Sequence, residues 1–332
     1  MPPAGRNCSL RYRYSPSVFC EIPEYQAETL YVIGGLYGNH EALKSILKMK
    51  ADEEQQGRPV LLVFNGDFNW FNVDHETFEQ INYEVLRHSA IQGNVEMEMA
   101  DPSEDTGCGC NYPEWVAEGI VERSNQIIQQ LQSRAEDYPE ISIGLRNLPR
   151  YLRVKVGDHV IGIVHGDAQS LAGWAFAAEC LPGETSSGCG TSSPSVPTSY
   201  EQITRYFIES GVRVFASTHT CLPVAQDFQI NGRSHVIINN GSAGMPNFAN
   251  TAFGVITRIS IHVSNSSLYG LKMDGVYCDA VPVHFNRNQW VTSFLQNWPE
   301  GSPGHQSYFN RIIHGPTFQM PQAIRGNFRN HL

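Results

Sequence analysis

Four residues of this chain can jointly hold a metal ion, and each stands just beyond a short apolar run. Asp67 follows "PVLLVFNG", His165 follows "HVIGIV", His219 follows "VRVFAST", and Asn94 stands in "AIQGNVE". Two oxygens and two imidazole nitrogens form a mixed donor set suited to a borderline divalent cation such as Mn, Fe or Zn. A single Asp or His at a strand end is more often a cap or a hydrogen-bonding residue. The ordered occurrence of all four is what points to a metal. Further polar residues stand at the same kind of position: Gly34 to Asn39, Asp167 behind His165-Gly166, and Thr218 to Cys221. The first of these stretches, in "YVIGGLYGNHEAL", is built like an active-site turn yet holds no carboxylate before Glu41.

Such residues need a scaffold that brings strand ends together. The runs "TLYVI", "PVLLVF", "HVIGIVH", "VRVFAS" and "HVIIN" are short, β-branched and bounded by Gly or Asn, the pattern of strands buried on both faces. Segments of helical period lie between them. Leu43, Ile46 and Leu47 follow Asn39, a fitting N-cap; Phe78, Ile81, Val85 and Leu86 follow Asp74; Ile120, Ile127, Ile128 and Leu131 form a stripe. Ser199 and Gln202 make a capping box ahead of Ile203 and Phe207, and Gly211 is placed to end that helix. Beyond about residue 250 the pattern alternates, which predicts antiparallel strands finishing a second sheet. The expected fold is α/β, a two-sheet β-sandwich flanked by helices. The expected organisation is an N-terminal extension (1–27), a main domain (28–287) and a C-terminal tail (288–332). A polar loop rich in Ser, Gly and Pro spans 182–199, and no internal repeat is evident.

Composition narrows the partners. The chain has 332 residues, 41% hydrophobic and 17% charged, enough for a sizeable core. A net charge of −10 with 23 scattered basic residues gives no footprint for a nucleic-acid polymer. No apolar run reaches the roughly 18 residues of a membrane span or makes a secretory leader, so a soluble, cytoplasmic protein is expected. Eight cysteines are too sparse for a disulfide scaffold and favour free thiols or metal ligands. Cys108 and Cys110 form a "GCGC" pair, read as a tight loop with free thiols; Cys8, Cys20, Cys180, Cys189 and Cys278 are dispersed, as buried or loop residues are.

The ordered motifs resemble those of the calcineurin-like metallophosphoesterases, which run DxH, GD, GNH(D/E), a strand ending in His-Gly, GHTHxP and a closing NPGSVGxP-type turn. Here "FNGDF" supplies Asp67, "QGNVE" supplies Asn94, "IVHGD" supplies His165 and "STHTCLP" supplies His219, while "INNGSAGMP" matches the closing turn. The opening "GGLYGNHEAL" matches through Gly38, Asn39, Glu41, Ala42 and Leu43, so the resemblance spans roughly residues 28 to 275. It implies an ion held by Asp67, Asn94, His165 and His219. A second ion of the family would need residues that here are Gly35, Tyr37 and Cys221, and Val95 replaces a phosphate-contacting histidine. Three arrangements fit that corner. Gly35 and Tyr37 fill the space of a missing ion; Tyr37 and Cys221, with Cys108 and Cys110 nearby, ligate a different one; or the fold binds no metal and serves as a scaffold.

The function implied is a metal-dependent phosphoesterase acting on a small phosphomonoester or phosphodiester, with one tightly held divalent ion. The alternatives are a catalytically silent binding protein or a metal enzyme of altered, redox chemistry. Asp167 and Glu96 are expected in supporting or acid/base roles and Asn39 as a cap or an anion contact. Trp70 and Phe71 are expected to wall the pocket or to fill the core. His40 lies near the first motif, and the remaining histidines are read as surface or hydrogen-bonded residues.

Overall fold

The computed structural model describes residues 4–7, 9–103, 106–183 and 197–331, so Cys8, Cys189 and most of the 182–199 loop lie outside the described residues. Two 3-10 turns, Leu10–Tyr12 and Pro16–Cys20, precede β1 (Glu24–Ala27) and β2 (Thr29–Ile33). Then come α1 (His40–Glu54), β3 (Val60–Asn65), α2 (His75–Val85), β4 (Ser89–Ile91), α3 (Asn94–Ala100), α4 (Glu118–Glu136) and α5 (Pro139–Arg146). The middle of the chain forms β5 (Tyr151–Val156), β6 (His159–Val164), α6 (Tyr200–Ser210), β7 (Val214–Ser217), β8 (Val224–Ile230) and β9 (Arg233–Asn239). It ends with β10 (Gly254–Ser260), β11 (Tyr269–Met273), β12 (Val276–Val283), α7 (Arg287–Asn297), α8 (Pro303–His314), α9 (Met320–Ala323) and β13 (Arg329–Asn330).

The strands form two sheets, one in the order β1-β5-β6-β7-β9-β8 and the other β13-β11-β12-β10-β2-β3-β4. Their facing sides share a core. In β2, Leu30 and Val32 join Val63, Ile161, Ile163 and Ile259 between the sheets, while Tyr31 and Ile33 turn outward among helical residues such as Leu43, Phe78, Ile128 and Phe294. A strand flanked by sheet and helix has no polar side to show, which is why β2 reads as an unbroken apolar run. On the opposite face α6 lays Ile203, Tyr206 and Phe207 against Phe215 and Phe228. The result is helix, sheet, sheet, helix. Each fully buried Leu, Ile or Phe adds on the order of 2 kcal/mol to hold these layers.

The expected caps are present. Asn39, Asp74 and Ser199 accept from the backbone N–H of Ala42, Thr77 and Gln202, and Gly211 closes α6 in the left-handed region at φ 67°. The strands beyond residue 250 are antiparallel, as expected, and finish the sheet that β2 begins, since β10 pairs antiparallel with β2 and with β12. Residues 288–332 contain α7 and α8, whose Trp290, Phe294 and Ile312 belong to the helical-side core. Among the described residues no helix is long and apolar enough to cross a membrane.

A buried charge cluster sits under α1. Arg258 of β10 is held by Glu53 and lies 3.6 Å from Asp279 of β12. Burial pushes the Asp279 carboxyl up to about 6, against the pull of Arg258. A folded-state value above the unfolded one means that the folded protein binds the extra proton, so stability falls as pH rises through 6. Urea titrations should show about 1 kcal/mol lost between pH 5 and pH 7 from this group, and Asp279→Asn should remove that slope. A slope unchanged by the substitution would assign it to other groups.

Candidate metal centre

The loops that leave β2, β3, β4, β6 and β7 converge at one end of the two sheets. Close approach decides their sequence. Gly66, at φ +75°, lies so near its neighbours that a Cβ there would meet Gly93 at 2.5 Å and the His165 ring at 2.6 Å. Non-glycine residues of the same region also have positive φ, among them Tyr37 (56°), Asp67 (53°), Phe71 (73°), His219 (35°) and Cys221 (64°). Each such residue stores on the order of 1–3 kcal/mol of backbone strain, which concentrates where side chains must be aimed rather than merely packed.

The aim is specific. His165 places Nδ1 2.8 Å from the carbonyl of Asn65, and His219 places Nε2 3.1 Å from the carbonyl of Cys110. A carbonyl only accepts, so each of those nitrogens carries the proton and the other nitrogen of each ring offers a lone pair. The two lone-pair nitrogens, His165 Nε2 and His219 Nδ1, face each other at 3.2 Å. Asp67 Oδ1 lies 3.3 Å and Asn94 Oδ1 3.2 Å from the same His165 nitrogen. Asn94 is oriented by its own amide, which donates to the carbonyl of Cys108 at 2.8 Å. All four side chains are buried, and Asp67, His165 and His219 form a potential metal-ligand cluster.

Four acceptor atoms pointed at one another repel unless a cation lies among them. The titration behaviour without an ion shows this. Burial lowers His219 to about 3, reinforced by the charge of His165, while His165 is raised because Asp67 outweighs its burial. Asp67 is lowered, the charge of His165 prevailing over burial. Outer ring nitrogens tied to backbone carbonyls are the usual support of metal-bound histidine, so the residues fit a divalent cation.

Glu96 and Asp167 stand behind this shell. Glu96 accepts from the N–H of Asp67 (2.7 Å), Gly93 (3.0 Å) and Asn69 (3.2 Å), so it braces the β3 and β4 loops against each other. Burial and the charge of Asp67 raise its carboxyl to about 7. Asp167 accepts from the N–H of Gln169, Ser170 and Ala175, pinning the loop after β6. Both are supports. Glu96→Gln should lower stability by about 2 kcal/mol in urea at pH 8, because an amide NH₂ would then oppose backbone N–H donors. An unaltered midpoint would mean that the carboxylate braces nothing. Asn39 caps α1: its side chain accepts from the Ala42 N–H at 3.0 Å and donates to the Gly244 carbonyl at 2.9 Å, and its own N–H donates to the Leu36 carbonyl.

The corner at Gly35, Tyr37 and Cys221 is filled by side chains. The Tyr37 hydroxyl lies 2.8 Å from Cys221 Sγ, and burial raises both groups, so phenol and thiol are neutral at pH 7. A Cβ on Gly35 would meet the Tyr37 ring at 2.9 Å. Among the described residues the ligand cluster does not take in Cys221. Cys108 and Cys110 reach the centre through their carbonyls, the first to Asn94 and the second to His219.

Above the ligands lies a cavity of about 410 Å³. Trp70, Tyr112, Trp174 and Tyr308 line it together with Arg123 and Arg311. Phe71 instead turns into the core, 5.3 Å from Phe294 and 4.8 Å from Tyr308 between ring centroids. Tyr112, Trp174 and the residues of α8 carry no spacing signal in the sequence, and only the fold places them here.

No protein-family profile matches this chain, and no curated protein does. Solved structures do. A hypothetical protein from Pyrococcus horikoshii is 18% identical, with a TM-score of 0.56 over 87% of this chain and 98% of that one. A metallophosphoesterase from Sphaerobacter thermophilus is 15% identical, with a TM-score of 0.49 over 87% of this chain and all of that one. With two facing sheets, helices on both outer faces and its polar loops gathered at the strand ends, the chain shares the αββα sandwich fold of the Pyrococcus horikoshii protein.

Proposed function

We propose that this protein is a metal-dependent phosphoesterase that hydrolyses a small phosphomonoester or phosphodiester, with one divalent ion (Mn, Fe or Zn) held by Asp67, Asn94, His165 and His219. The observation that carries the reading is the convergence of four buried acceptor atoms whose orientations are fixed from behind by Asn65, Cys108 and Cys110. Tyr37 and Cys221, packed together where a second ion would sit, favour one ion over two.

A divalent ion in this shell supplies an acidified water and a polarised phosphoryl oxygen. The chain's own residues do the rest. His165 and His219 keep their lone pairs inward because their outer N–H groups are bonded to carbonyls. The aromatic cavity keeps bulk water from the ligands, which strengthens charge interactions there. Val95 gives no proton, whereas Tyr112 and Tyr308, kept as neutral phenols by burial, line the cavity and are the nearest candidates to protonate a leaving oxygen.

The test is metal content per chain on protein purified without added metal, beside a His219→Ala control, with a Mn-supplemented assay on a generic phosphodiester. About one ion per chain, lost in the control, with turnover confined to the loaded protein, is expected. Protein that binds no metal and turns over no ester would end the proposal; a loaded but inactive protein would leave a silent binder.

A further inference from the structure

Trp70, Tyr112, Trp174 and Tyr308 give the cavity more aromatic surface than a phosphate group alone would need. Resting on the phosphoesterase reading, we infer that the substrate's ester group is a planar aromatic or heteroaromatic ring, held between the rings of this cavity with its phosphate toward Asp67, His165 and His219. The walls come from separate parts of the chain. Trp70 follows β3, Tyr112 precedes α4, Trp174 lies in the loop after β6, and Tyr308 is on α8.

Two features make this a built site. First, the rings are fixed. Trp174 donates Nε1–H to the carbonyl of Cys110 at 3.1 Å and meets the His219 ring edge-on at 5.6 Å and 77°. The Tyr112 hydroxyl is 3.0 Å from Ser124 Oγ, and Tyr308 meets Trp70 edge-on at 6.4 Å and 77°. Edge-on and tilted contacts hold these rings while all four still line the cavity, which leaves aromatic surface for a ligand. Second, the charge suits an organic anion. Arg123 is held at Nε by Ser307 Oγ (2.6 Å), and its other guanidinium nitrogens have no partner among the described residues. Arg311 is tied to the carbonyls of Cys221 and Pro246.

Size agrees. A cavity of about 410 Å³ accommodates a phosphate with one ring system and leaves a small alkyl ester in contact with little of the wall. The carbonyl-anchored indole of Trp174 stands against the His219 ring, so a ligand ring seated on it would lie beside the ligand cluster.

The experiment compares phenylphosphonate with methylphosphonate, neither of which is hydrolysed, binding to the metal-loaded full chain by calorimetry. The phenyl compound should bind about tenfold more tightly, in line with ring pairing plus burial of one aromatic face. In Trp70→Ala and in Tyr308→Ala the ratio of the two affinities should fall toward one; a ratio cancels any shared loss from altered folding or metal loading, which is measured in parallel. Equal affinities in the unaltered protein, no binding of either probe, or a ratio unmoved in both variants would overturn the ring site. Turnover of phenyl phosphate is scored separately: a tenfold phenyl preference without turnover supports the ring site and defeats the esterase reading, and turnover without preference does the reverse.

Discussion

If the proposed function holds, His165→Ala is expected to empty the metal centre and to lower phosphoester turnover by at least about 10³-fold, since loss of an outer partner alone costs about 10–100-fold in affinity and His165 would be a ligand. This imidazole contacts every other member of the set: Asp67 at 3.3 Å, Asn94 at 3.2 Å and His219 at 3.2 Å. Without it, Asp67 keeps a buried charge with less to balance it, and the Asn65 carbonyl loses its donor. The variant should therefore also unfold more easily, by about 2–3 kcal/mol. Metal analysis and kcat/KM on folded protein check the first claim, and urea denaturation the second. Retention of one ion per chain in the variant would mean that the ion is held elsewhere.

Gly35→Asp is expected to destabilise the fold by about 3 kcal/mol, although an aspartate there matches the family pattern. The backbone at residue 35 has φ 63°, and the new Cβ would lie 2.9 Å from the Tyr37 ring. Tyr37 would have to leave its place beside Cys221. Combined with Tyr37→His and Cys221→His, the same aspartate gains both room and partners. The triple variant should thus be more stable than the sum of its parts, by about 1–2 kcal/mol, and should carry two ions per chain in place of one. Metal stoichiometry and a mutant cycle in urea decide it. A stable Gly35→Asp single variant would show that the Tyr37 ring yields its place freely.

The contrast between these two positions shows what the sequence makes legible. Strands such as β2, β3 and β6 are buried on both faces, so their apolar runs announce them, and ligands at their ends can be listed in order. The caps Asn39, Asp74 and Ser199 are short-range chemistry and are readable for the same reason. β5 alternates between buried and half-buried positions, and "VAQDFQI" of β8 is broken by polar residues, so neither stands out. α7 and α8 lie in a stretch of Pro, Gly, Asn and His whose helices are set by packing on the core rather than by a strong pattern. Glu96 and Asp167 look like acid/base candidates because a sequence shows the carboxylates and not the backbone amides that hold them. Asn39 is legible as a cap, whereas its bond to the Gly244 carbonyl, 205 residues away, is set by the fold alone.

The position of α8 over the cavity has a consequence in time. All four ligands lie at or before residue 219, whereas Tyr308 and Arg311 are made about 90 residues later, which at ribosomal speeds is roughly 5–20 s. A growing chain thus owns its cation-binding residues well before it owns the wall above them. Once α8 packs above these residues, an ion that enters has to pass its side chains, so loading the folded protein from outside should be slow compared with loading a chain in which α8 is not yet packed.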